Sequence, residues 1–280
     1  MNAERKNKAS SLASRFTLHA SRGGVFITGT DTGVGKTLVT AALALCLKQR
    51  GCTVGVMKPI ETGSRDEGAA GSDAARLYAA AGVAETVEEI SPYRFADPLA
   101  PADAARRAGR TISLSRIVRA YRALTGRYHI VLVEGVGGAL VPLTAREDVR
   151  DLIRQLGLPA IVVGRAGLGA VNHARLTIEA LGRRRIPVRA LLLNRPGPRA
   201  MTETEELQEA STLSLLRSWG KMPVVGPLPH EARVNGSWEE GLAELANSRE
   251  IGTLADLIIG TARRTRVSPQ SRPVRGQSRK

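Results

Sequence analysis

The chain holds only two cysteines, Cys46 and Cys52, in 280 residues. So few, at that spacing, exclude a disulfide framework and a cysteine-built zinc site, and they fit a reducing compartment, so a cytoplasmic location is expected. Aromatic residues make up 3%, too few for a surface that interleaves rings with nucleobases. No apolar run approaches the ~18–20 residues that span a bilayer, and no membrane partner is expected. Acids are also scarce relative to bases, and the formal charge of +15 raises nucleic-acid binding. The distribution of the charge argues against it. Residues 1–22 carry Arg5, Lys6, Lys8, Arg15 and Arg22 against Glu4 alone; residues 262–280 carry Arg263, Arg264, Arg266, Arg272, Arg275, Arg279 and Lys280 with no acid. Most of the surplus thus falls in two basic segments that read as solvated, mobile tails around a body at 23–261, and no specific nucleic-acid partner is expected.

What is present is globular: 42% hydrophobic and 24% charged residues. Short apolar strand candidates at Val25–Thr28, Val54–Met57, Ile130–Val133, Ala160–Val163, Val188–Leu193 and Pro223–Gly226 alternate with helical stretches, among them Lys36–Gln49, Asp73–Ala81, Leu114–Leu124, Val149–Leu156 and Ala170–Leu181. Near-continuous apolar strands between helices predict one α/β domain with a mainly parallel sheet covered on both faces. Residues 59–72 read as a loop, Ser91–Pro101 as extended or looped, and the last helix ends near Ala262.

The sharpest local signal is Gly29-Thr30-Asp31-Thr32-Gly33-Val34-Gly35-Lys36-Thr37, set between a strand and a helix. Small residues let successive backbone N–H groups converge on phosphate oxygens, and the following helix aims its positive end at the same point. Lys36 can neutralise the terminal phosphates and Thr37 can offer a hydroxyl to Mg²⁺. The first glycine falls at 29, whereas the usual G-x4-G-K-[ST] spacing would place it at 30. Such a loop predicts nucleotide binding and leaves a GTPase, a partitioning ATPase and a metabolic synthetase all open.

Other groups collect where strands end, which is where ligands bind on such sheets. Lys58 follows the second strand, with Thr62 close behind. Asp73 opens a helix, where it either favours the helix dipole or serves a metal. Glu134-Gly135-Val136-Gly137 follows a buried strand and resembles the second acidic Mg²⁺ site of nucleotide hydrolases. Gly167-Leu168-Gly169 precedes a helix and forms a second anion nest, with Asn172 adding an amide. Asn194, and Leu228-Pro229-His230, end further strands and are read either as turn chemistry or as a nucleobase pocket.

Taken together the motifs resemble the dethiobiotin synthetase family. The resemblance rests on GTDTGVGKT at 29–37, KPIETG at 58–63, SDAARL at 72–77, VEGVGG at 133–138, GLGAVNHARLT at 167–177, LLLN at 191–194 and VGPLP at 225–229, covering about residues 23–260. The shifted glycine is itself the family form. The resemblance implies a P-loop NTPase fold. It also implies an ATP- and Mg²⁺-dependent ligase that carboxylates 7,8-diaminopelargonic acid with CO2 and closes a ureido ring, through a carbamate and a carbamic–phosphoric anhydride. By the same resemblance, Lys36 and Lys58 are the catalytic cations. Gly33 to Leu38, Asp73, Glu134 to Gly137, Asn194, Leu228, Pro229 and His230 bind nucleotide. Thr37, Asp73 and Glu134 hold Mg²⁺. Thr32 and Thr62 meet the diamine or its carbamate, and Gly167, Leu168, Gly169 and Asn172 receive the substrate carboxylate. In the family that last segment comes from the opposite subunit, which implies a homodimer with shared sites. The stretch at 196–220 departs from the family pattern. A partitioning or regulatory ATPase of the same superfamily is the alternative, weakened because Asp31 stands where that family usually has lysine. A cobyrinate amidotransferase synthetase carries an added glutaminase domain with a catalytic cysteine; here both cysteines fall within or just after the first helix.

Overall fold

A computed structural model describes residues 23–64, 71–195, 197, 201–220 and 222–264. The tails expected to be mobile, 1–22 and most of 262–280, lie outside the described residues. In chain order the elements are β1 (Gly23–Gly29), α1 (Lys36–Gln49), β2 (Val54–Met57), β3 (Ile60–Thr62), α2 (Asp73–Ala81), α3 (Val87–Ile90), β4 (Tyr93–Phe95), α4 (Pro101–Arg107), α5 (Leu114–Arg127) and β5 (Ile130–Gly138). They continue as α6 (Val149–Leu156), β6 (Ala160–Arg165), α7 (Ala170–Arg183), β7 (Val188–Asn194), α8 (Glu203–Trp219), β8 (Val224–Leu228), a 3-10 turn (Ala232–Asn235), α9 (Trp238–Ala246) and α10 (Arg249–Arg264).

Six strands form one sheet in the order β2-β5-β1-β6-β7-β8, and every pairing is parallel. Successive strand residues point to opposite faces, yet all four residues of β2 and Ile130 to Val133 of β5 are buried. Both faces are therefore covered, which is why these strands read as continuous apolar runs. Phe26, Ile27, Leu132, Val162 and Leu192 are inaccessible to solvent and form the middle of the core. Helix α1 packs against α2, α9 and α10, so the segment that carries the phosphate loop is wedged into the body of the fold.

The sheet places β1, β5, β6 and β7 side by side, and their carboxyl ends deliver Gly29, Glu134, Arg165 and Asn194 to one rim. Four differences from the sequence reading bear on that rim. The loop expected at 59–72 holds β3, which pairs in parallel with β4 as a second small sheet. Each is three residues long and its partner lies some thirty residues away in sequence, so neither has a local signal. Strand β5 runs on through Gly138 instead of ending at Glu134, because pairing with β1 continues to Gly29–Gly138. The divergent stretch 196–220 contains α8, entered through a capping box in which Thr202 accepts from the Glu205 N–H while the Glu205 carboxylate accepts from the Thr202 N–H. Helix α10 reaches Arg264, three residues past the expected edge of the body.

Candidate active site

The phosphate loop is shaped by Gly35, the residue before α1. Its φ of 96° lies in the left-handed region, and a Cβ there would stand 2.2 Å from the Asn194 amide nitrogen. Only glycine meets both conditions. No side chain caps α1, so its first N–H groups are left to a ligand, and the helix dipole favours a negative one. Asn194 closes the loop from beneath, its Nδ2 donating to Val34 O at 3.0 Å.

Lys36 is buried and its ammonium donates to Asp31 O at 3.0 Å. Burial, followed by repulsion from Lys58, pulls its pKa down to about 8. Lys58 is still more enclosed. Its Nζ donates to Asp73 Oδ2 at 2.7 Å, to Glu134 Oε1 at 2.5 Å and to Gly135 O at 3.3 Å. Burial alone would lower its pKa; Glu134 and Asp73 reverse that and raise it, so the ammonium is charged at any physiological pH. Asp73 is also penalised by burial, but contact with Lys58 outweighs this and holds its carboxyl below the usual carboxylate range.

Glu134 is wholly buried. Its Oε1 accepts from Thr37 Oγ1 at 2.8 Å as well as from Lys58, whereas its Oε2 has no hydrogen-bond partner among the described residues. An orphaned buried carboxylate oxygen is costly; it is the Oε1 side of Glu134 that meets the Thr37 hydroxyl and, across the Lys58 ammonium, the Asp73 carboxylate. This donor set is hard, anionic and oxygen-only, and it fits Mg²⁺.

Thr32, Lys36, Thr37, Lys58, Thr62 and Asp73 all line one cavity of about 390 Å³, with Gly33, Gly35, Leu38, Val136 and Gly137 on its walls. Both lysines and both expected substrate threonines thus face a shared space. The remaining expected residues lie elsewhere in the same chain. Pro229 and His230 line a neighbouring hollow with Arg195, which is clamped by Glu209 through two hydrogen bonds of 2.7 and 3.1 Å. Leu228 is buried beneath it. Leu168, Gly169 and Asn172 line a separate hollow between α7 and α8 and are not among the residues facing the phosphate cavity. Gly169, the residue before α7, has φ 85°, and no side chain caps that helix either.

Some residues of the cavity escaped the sequence reading. Glu61 Oε1 accepts from the Asp73 N–H at 2.6 Å and so fixes the start of α2; its place inside KPIETG was the available signal. Arg76, Val234, Asn235 and Trp238 complete the walls. The Arg76 guanidinium stacks over the Trp238 ring at 4.7 Å. Arg76 follows Asp73 by three residues, which puts both on one helical face, whereas nothing local marks Trp238. His173, within α7, is exposed. Cys46 and Cys52 are buried, and burial pushes both thiols up, so neither is an activated nucleophile.

A family described as an AAA domain matches residues 23–237. Among curated relatives, an ATP-dependent dethiobiotin synthetase of Anaeromyxobacter dehalogenans is 55% identical over 62% of this chain and 78% of its own length. One from another Anaeromyxobacter species is 46% identical over 81% of this chain and 92% of its own length. That of Thermodesulfovibrio yellowstonii is 38% identical over 76% and 91%. Among solved structures, the septum site-determining protein MinD of Pyrococcus horikoshii aligns with 86% of this chain and 96% of its own at 16% identity and a TM-score of 0.48. The parallel sheet, the glycine-shaped phosphate loop and the two buried lysines over one cavity are thus joined by close relatives matched over most of their length, and the chain belongs to the ATP-dependent dethiobiotin synthetase family.

Proposed function

We propose that the protein converts 7,8-diaminopelargonic acid, CO2 and ATP into dethiobiotin, ADP and phosphate, in the cytoplasm and as a homodimer. The single observation that supports this best is the convergence of Lys36 and Lys58 on one cavity whose other walls carry Thr32, Thr62 and Asp73. A simple nucleotide switch needs the first lysine; a second cation at a strand end serves a second anion.

One amine of the substrate adds to CO2, losing a proton, and gives a carbamate. Thr32 and Thr62 hydrogen-bond this group or the free amine. A carbamate oxygen then attacks the γ-phosphorus of ATP and ADP leaves, giving the carbamic–phosphoric anhydride. Two anions must touch for this step, and Lys36 and Lys58 offset their repulsion. Lys58 meets them as a full cation because Asp73 and Glu134 hold it protonated. The second amine attacks the anhydride carbon, phosphate is expelled, and the ring closes. The leaving group is good, so positioning carries this step and no strong general base is needed.

Thr37, Asp73 and Glu134 would hold Mg²⁺, which supplies charge neutralisation between phosphate oxygens. The first N–H groups of α1 bind the phosphates. Asn194, Leu228, Pro229 and His230 border the space for the base. The uncapped start of α7, with Gly167, Leu168, Gly169 and Asn172, receives the substrate carboxylate in the partner's site. Leu168 is 85% exposed, and Leu176, Leu207 and Leu215 are exposed around the same hollow. A patch this apolar on α7 and α8 fits a second copy of the chain, which would bring the carboxylate nest to the diamine.

Oxygen tracing tests the sequence of steps. With ¹⁸O-labelled CO2 and short reaction times, the released phosphate should carry one labelled oxygen, because the carbamate oxygen that attacks phosphorus leaves with it. Unlabelled phosphate beside labelled dethiobiotin would rule out the anhydride.

A further inference from the structure

The opposite edge of the sheet holds a second built cavity. It lies under the amino ends of β1, β5, β6 and β7, bordered by Gly23, Ile130, Pro159 and Pro187, and has a volume of about 530 Å³. The phosphate rim is a full strand away, roughly 20 Å at the usual rise per residue. Its interior is apolar: Leu158 and Ile186 are buried, and Ile258 of α10 covers one side. Into it projects Tyr121 of α5, only 8% exposed, whose hydroxyl makes no hydrogen bond among the described residues. At the mouth stand Arg154, Arg185 and Arg189, all exposed and none paired with an acid among the described residues. By contrast Arg184, next along the chain, is paired with Asp151 at 3.3 Å. Among the described residues, no acid lines the cavity.

We propose that this cavity binds an anion carried on an aliphatic chain, its tail among Leu158, Ile186 and Ile258 and its carboxylate or phosphate head between Tyr121 and the three arginines. The volume suits a small amphiphile. An unpaired guanidinium is a strong partner for a carboxylate or phosphate. A phenol whose ring is buried while its hydroxyl faces the cavity can donate to an acceptor placed there. Burial pushes the Tyr121 hydroxyl up to about 12, so it remains a donor at neutral pH.

Calorimetric titration of the full chain tests this with octanoate, octyl phosphate, octylammonium and inorganic phosphate. Saturable binding of octanoate or octyl phosphate is expected, the tighter of the two identifying the head group, while octylammonium and inorganic phosphate stay near background. Tyr121→Phe should weaken binding about tenfold, as for one hydrogen bond to a charged group. Arg154→Gln/Arg185→Gln/Arg189→Gln, at exposed positions that do not hold the fold, should weaken it about a hundredfold or more. Absence of binding by both anions, equal binding of octylammonium, or unchanged binding in the triple variant would overturn the proposal.

Discussion

Lys58 and Glu134 form an ion pair of 2.5 Å that is sealed from water, with side-chain exposures of 4% and 0%. Neither charge is tolerable there alone. The cation proposed to act on the phosphate and the acid proposed to hold the metal therefore sustain each other. Lys58→Ala should cut turnover on the order of 10²–10³-fold, as for loss of one preorganised donor, and lower stability by about 3–5 kcal/mol, as for one partner of a buried pair. Lys58→Ala/Glu134→Gln should regain most of the stability and none of the turnover. Urea unfolding beside a steady-state assay separates the two effects; an unchanged unfolding midpoint for Lys58→Ala would mean that the pair is not a compensating one.

The pH dependence of ATP use should report Lys36. Its folded pKa is lowered to about 8 by burial and by Lys58, and the protonated form is the one that attracts phosphate. The value of kcat/KM for ATP should be level below that pH and decline as the ammonium loses its proton above it. Bound phosphate stabilises the cation, so kcat at saturating ATP should hold to higher pH. Lys36→Ala should be low and lack this transition, and a profile for the parent that is flat through the region would contradict the assignment.

Two glycines of the same loop should respond differently to one methyl group. Gly33 has φ 70° with open space around it; Gly35 has φ 96° and would drive a Cβ onto Asn194. Gly33→Ala carries only the left-handed backbone cost of about 1–2 kcal/mol. Gly35→Ala must in addition displace the amide that holds Val34 O, and its nucleotide affinity should fall further than that of Gly33→Ala. Equal losses in a nucleotide-binding titration would remove Asn194 from the support of the loop.

The phosphate loop, α1 and the central strands were legible because their chemistry is local. Gly35-Lys36-Thr37 follows an apolar strand directly, and the helix from Lys36 to Gln49 has the bounds its pattern predicts. Asp73 was readable as the opening residue of α2, where the Ser72 hydroxyl accepts from the Ala75 N–H, but not as a partner of Lys58, because the loop between them has no periodicity. The bond from Glu61 to the Asp73 N–H and the wall supplied by Trp238 are contacts between distant segments. Strand β3 was missed for the same reason, whereas β4 falls within Ser91–Pro101, which reads as extended or looped. Helix α8 carried its signal in Thr202 and Glu205, a capping box that divergence from the family pattern had obscured.

The proposed dimer makes Leu176 and Leu207, 57% and 71% exposed on the face of α7 and α8, its sensitive positions. Leu176→Glu/Leu207→Glu should sediment as a monomer, bind ATP as the parent does, and lose ring closure because the carboxylate nest is supplied by the partner. A monomeric variant with full turnover would confine the site to one subunit.

The most direct measurement is the product itself. Purified protein given ATP, Mg²⁺, bicarbonate and 7,8-diaminopelargonic acid should yield dethiobiotin by mass detection, with one ADP per ring closed and no product when the diamine is omitted. ATP hydrolysis indifferent to the diamine, with no cyclic urea formed, would contradict the account.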